Sequence, residues 1–96
     1  MLDDRRIREI AHKVATDKLT SANVTSVSSG PAIDSEGNDA LRITIVIKSG
    51  SASKITGDAA LDTLVGIQER LRAAGEQRFA LVEYATKKEL SASGGS

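Results

Sequence analysis

Between Leu41 and Lys48 the chain alternates. Leu41, Ile43, Ile45 and Ile47 take every second position, and Arg42, Thr44 and Lys48 fall between them. A repeat of two sends successive side chains to opposite faces of a strand, so one face of this segment is aliphatic and must be covered. No other stretch constrains the fold as strongly, and the remaining elements are read as the cover that this strand requires.

Upstream, Ile7, Ile10, Ala11 and Val14 recur at helical spacing, with Arg5, Arg6, Arg8, Glu9, His12 and Lys13 turned mostly away. The spacing predicts a first amphipathic helix from Asp3 to about Leu19, capped by Asp3 or Asp4. Val24 to Ile33 leans towards strand but is broken by Gly30-Pro31, which predicts a bulged edge strand because proline cannot donate to a central ladder. The run Asp34-Ser35-Glu36-Gly37-Asn38-Asp39 holds turn formers, with Gly37 or Asn38 suited to positive φ, and joins the two strands as an antiparallel hairpin.

Downstream, Ser49 to Gly57 reads as an exposed loop. Thr56 or Asp58 caps a second helix running to about Ala74, with Ala60, Leu61, Leu64, Val65, Ile67 and Leu71 on its apolar side and Gly75 as its stop. Phe79 to Ala85 is a third strand, and Thr86 to Leu90 reads as one further helical turn. A helix between the second and third strands makes those two parallel. The expected architecture is α+β, a two-layer αββαβ sandwich. It has a three-stranded mixed sheet, with the β1-β2 hairpin, β3 parallel to β2 and both helices on one face. The spacing leaves open whether the third strand pairs with the first or the second.

At 96 residues the chain holds one core, read as a single α+β domain over 1–90 followed by a disordered tail over 91–96, where no side chain is large enough to anchor the backbone. The 13 basic and 13 acidic residues cancel, so no overall field favours nucleic acid or an anionic membrane. Cysteine is absent, which excludes disulfides, thiolate catalysis and Cys-ligated zinc or iron–sulfur centres held by this chain, and suits a reducing compartment. The start of the chain has no apolar segment of the signal-peptide kind, and no run approaches the roughly 18 apolar residues of a membrane span. A soluble cytoplasmic protein is expected.

Tests of individual motifs give little chemistry. The loop with Lys54 joins a strand to a helix, but Gly57 is followed by Asp58 where a phosphate-binding loop needs lysine. His12, the only histidine, has no nucleophile at a recognisable spacing. Asp34, Glu36 and Asp39 lack the spacing of a calcium loop. No cofactor, no metal and no enzymatic activity are therefore expected.

The order and pattern of elements resemble BolA-like proteins, most closely from Ile55-Thr56-Gly57 through the second helix to Ala85-Thr86-Lys87-Lys88-Glu89-Leu90. They are also similar to a type II KH domain, which adds a further helix before its last strand. The first resemblance implies iron–sulfur partnership through histidine, yet the last strand here starts Phe79-Ala80-Leu81 without one. The second implies nucleic-acid binding through a GXXG loop between two helices, whereas Gly57 and Gly75 flank a single helix.

What remains is surface. If Leu41, Ile43, Ile45, Ile47, Phe79 and Leu81 face the helices, then Val46, Val82 and Tyr84 share the open face with Arg42, Thr44 and Lys48. That face is expected to bind a protein partner or a second copy of the chain. A nucleic-acid-binding domain is the alternative, with Arg5, Arg6 and Arg8 as its anion-binding cluster, joined by Arg42 and Lys48.

Overall fold

The computed structural model describes residues 2–87. Its order is α1 (Asp4–Leu19), β1 (Val24–Ile33), β2 (Asp39–Ile47), a short 3-10 turn (Ala52–Lys54), α2 (Gly57–Ala73) and β3 (Phe79–Thr86). The strands form one sheet in the order β1-β2-β3, with β1 antiparallel and β3 parallel to the central β2. Both helices pack on the same face, giving the expected two-layer α+β arrangement. The helical turn read over Thr86 to Leu90 falls largely, and the tail over 91–96 wholly, outside the described residues.

Local chemistry sets the element ends. Asp3 caps α1 by accepting from the Arg6 N–H at 2.8 Å, and Thr56 caps α2 by accepting from the Ala59 N–H at 3.0 Å. The hairpin turns at Gly37, whose φ of 85° favours glycine, while one Asp34 carboxylate oxygen accepts from the Glu36 and Asn38 N–H groups at 2.9 Å each. Those bonds, the one from Asn38 foremost, hold the Asp34 carboxyl below its ordinary value. α2 ends in a Schellman motif, in which Glu76 N–H donates to Leu71 O at 2.9 Å and Gly75, at φ 100°, donates to Arg72 O at 3.0 Å.

Ile7, Ile10, Ala11, Val14, Ala15 and Leu19 of α1 join Ile67 and Leu71 of α2 over Leu41, Ile43, Ile45 and Ile47 in one aliphatic core. Each fully buried Leu, Ile or Val contributes roughly 1.5–3 kcal/mol. The helices touch at Gly66, where an added Cβ would sit 2.9 Å from the Val14 Cγ1.

The face assignment of β3 differs from the sequence expectation. Register pairs Ala80 with Leu41, Val82 with Ile43 and Tyr84 with Ile45, so Val82 and Tyr84 point to the helices and pack against the core. Phe79, Leu81 and Glu83 pair with Ala40, Arg42 and Thr44 and take the outward face. Size suggested the opposite, because Phe79 and Leu81 are bulkier than Ala80. Charge decides, since Glu83 shares their parity and an inward Glu83 would be a buried carboxylate without a cation. Outward, it is exposed and accepts from the Thr44 hydroxyl at 2.8 Å.

Candidate functional site

On the outward sheet face the structure brings together Arg42, Thr44 and Val46 of the expected set, with Phe79, Leu81 and Glu83 in place of Val82 and Tyr84. Lys48 lies exposed just beyond the end of β2. Because β2 is central, neighbours on both sides shield its outward residues, and Thr44 and Val46 are 9% and 5% exposed. Arg42 is exposed and has no ion-pair partner among the described residues.

Tyr84 is only half-buried within the helix layer. Its hydroxyl donates to Ala60 O at 3.4 Å, and burial pushes the phenol above its ordinary value, partly offset by the Thr63 hydroxyl.

The basic cluster is divided. Arg5 and Arg6 share Glu9, at 3.4 and 3.6 Å, on the exposed side of α1, so one carboxylate offsets two guanidinium groups. Arg8 and His12 are exposed on the same helix. Arg42 belongs to the sheet face away from α1, so these cations do not form one stripe.

Two features were not singled out from the sequence. The first is a clasp at the start of β3. Glu76, 2% exposed, accepts from Leu2 N–H at 2.9 Å, from Arg78 N–H and Arg78 Nε at 3.0 Å each, and from Arg78 Nη2 at 3.1 Å. The side-chain bond from Arg78 leads in holding its carboxyl down to about 2, and the same bond raises the Arg78 value. Arg78 Nη2 also reaches Leu2 O at 3.5 Å, so this charge pair ties the chain's beginning to its last strand. Arg78 borders an open hollow of about 480 Å³ with Pro31, Ile33 and Ala40. Its guanidinium is already engaged by Glu76, so the hollow offers no free cation. Spacing alone carried no signal for this pair, because Glu-x-Arg is common on surfaces.

The second is the flank where α2 borders the free edge of β3. Among the described residues the exposed large apolar side chains are Ile33, Leu61, Val65 and Phe79. Leu61 and Val65 lie one turn apart on α2. The same side of the helix carries Gln68, whose amide donates to Ala80 O of β3 at 3.0 Å. Phe79 lines a shallow hollow with Gln68, Glu69 and Arg72. Leu61 and Val65 are thus exposed on the α2 side of β3, and Phe79, at the start of β3 on its outward face, meets α2 at that hollow. The sequence signal was present: Leu61 and Val65 exceed what a single buried stripe of α2 can hold.

Among the described residues, no group of three or more His, Asp or Glu side chains is placed to hold a metal ion, and no helix is long and apolar enough to cross a membrane. Comparison with known proteins finds no matching family model, no similar curated protein and no similar solved structure.

Proposed function

We propose that the chain is a non-enzymatic protein-interaction module of the cytoplasm, which engages a partner chain along the free edge of β3 and the adjoining flank of α2. One observation carries this reading: Leu61, Val65 and Phe79 are all exposed beside a strand that, among the described residues, has a neighbour on one side only. Exposed apolar side chains next to unpaired strand N–H and C=O groups form a template for an added strand. The outward residues Arg42 and Thr44 border this surface through their pairing with Leu81 and Glu83. Val82 and Tyr84 support it from the core side.

Nucleic-acid binding through Arg5, Arg6 and Arg8 has weaker support, because Glu9 already engages two of the three.

The test compares immobilised wild-type chain with a Leu61→Glu/Val65→Glu double variant in an extract of the producing cell. Circular dichroism first establishes that both are folded. A protein retained by wild type and by Arg5→Glu/Arg8→Glu, but held at least tenfold less by the double variant, is the expected result. Equal retention by the double variant overturns the reading, as does loss confined to the arginine variant.

A further inference from the structure

Resting on that reading, we infer that the edge of β3 takes a second copy of this chain, pairing antiparallel about a two-fold axis at Val82 to give one sheet of six strands, three from each copy. The two edges of the sheet are built differently. β1 carries a bulge between Val24 and Ser26 and also Pro31, both features that discourage an added strand. β3 pairs with β2 over its whole length without a register shift, has no proline, and holds one charged residue, Glu83.

The β3 sequence is complementary to itself in one register. A two-fold axis normal to the sheet keeps inward residues opposite inward residues, so the axis must pass through a residue. Placed at Val82, it sets Ala80 opposite Tyr84 of the second copy and Phe79 opposite Ala85, a small side chain against a large one in each case. Leu81 then faces Glu83 of the second copy, and the two Glu83 side chains are offset. Arg42, beside Leu81, shares that outward row with Glu83 of the second copy. Two strand spacings, about 9.6 Å, separate their backbones, within the combined reach of an arginine and a glutamate extended over Leu81 once Glu83 turns from the Thr44 hydroxyl that donates to it at 2.8 Å.

An axis at Glu83 instead opposes two carboxylates directly, which is destabilising. An axis at Leu81 places Phe79 opposite Glu83 and leaves Tyr84 without a small partner. The pairing at Val82 also brings the two α2 flanks together across the axis, where Leu61 and Val65 meet their counterparts. The bond from Gln68 to Ala80 O does not exhaust that acceptor, because a carbonyl carries two lone pairs.

Since the chain has no cysteine, engineered thiols read the register directly. Cα atoms opposed across an antiparallel pair lie about 4.5–5.5 Å apart, inside the range a disulfide needs. Val82→Cys is expected to give a cross-linked dimer on mild oxidation. Leu81→Cys and Glu83→Cys should each fail alone and cross-link when mixed.

Sedimentation of wild type should show a dimer, weakened at least tenfold by Arg42→Glu and restored by Arg42→Glu/Glu83→Arg. A dimer that cross-links through Thr44→Cys and not through Val82→Cys overturns the edge pairing in favour of the open sheet face. A wild-type chain that stays monomeric at high micromolar concentration overturns self-pairing. If Leu61→Glu/Val65→Glu still releases a different protein from the extract, the interaction reading survives and only the identity of the partner is lost.

Discussion

The two edges of this sheet solve the same problem in opposite ways. Among the described residues, both β1 and β3 have a neighbouring strand on one side only. β1 meets that exposure with a bulge and Pro31, and its entry is fixed by Asn23. The Asn23 amide donates to Leu19 O at 2.7 Å, its side-chain oxygen accepts from Ser51 at 3.1 Å, and its carbonyl accepts from Lys48 N–H at 3.0 Å. β3 is regular and apolar, and its entry is fixed by the buried Glu76–Arg78 pair. A protected edge is secured by neutral hydrogen bonds, and an unprotected one by charge. Stability at the β3 edge must therefore depend on pH, and stability at the β1 edge need not.

The largest effect expected from breaking this comparison comes from Glu76→Ala. It leaves Arg78 without its counter-charge and frees Leu2, and should cost about 3 kcal/mol in urea unfolding, at the lower end for breaking a buried pair because Arg78 is 16% exposed. An unchanged midpoint would show the clasp to be ornamental. The pH dependence has a definite sign. Folding lowers the Glu76 value to about 2, so its contribution is complete above the ordinary glutamate range and is lost as pH falls from about 4.5 towards 2. Wild type should lose stability through that window, and Glu76→Gln should show a shallower slope.

Gly66→Ala tests the contact on the other side of α2. An added Cβ at Gly66 would sit 2.9 Å from the Val14 Cγ1, so glycine lets α2 lie close against α1. Alanine gains about 1 kcal/mol of helix propensity, but overpacking a core costs roughly 1–3 kcal/mol. The β-branched Val14 is stiff and buried, so net destabilisation near 1 kcal/mol is expected from thermal melts. A double-mutant cycle with Val14→Ala should return a coupling of similar size.

The smallest effect on stability sharpens the contrast most. Leu81→Glu puts a like charge opposite Glu83 of the second copy, and should change unfolding free energy by less than about 1 kcal/mol while abolishing association in sedimentation. Ser28→Lys on the β1 side should alter neither. Equal effects of the two substitutions would remove the distinction between the edges.

Much of the fold was legible in residue patterns. The alternation at Leu41 to Ile47 identified the central strand, Gly30-Pro31 marked an edge, and Thr56 or Asp58 at one end and Gly75 at the other bounded α2, because these signals act within a few residues of themselves. The parity of β3 was not, since Phe79-Ala80-Leu81-Val82 is apolar on both faces and side-chain size pointed the wrong way. Glu83 held the information, as a charge fixes which face of a short strand can be buried. The expected surface of Arg42, Thr44, Val46, Lys48, Val82 and Tyr84 consequently mixed residues from two faces.

By itself the sequence determined the order of elements, their caps and turns, and the aliphatic character of the core, all of which follow from local backbone preference and periodicity. Only the tertiary structure decided that β3 lies beside β2 and turns Val82 and Tyr84 inward, that Glu76 reaches Leu2 across the length of the chain, and that the exposed side of α2 borders a free strand edge. The physical reason is range. Periodicity and capping act over one or two turns, whereas register, charge burial and edge exposure depend on segments that meet only when the chain closes on itself.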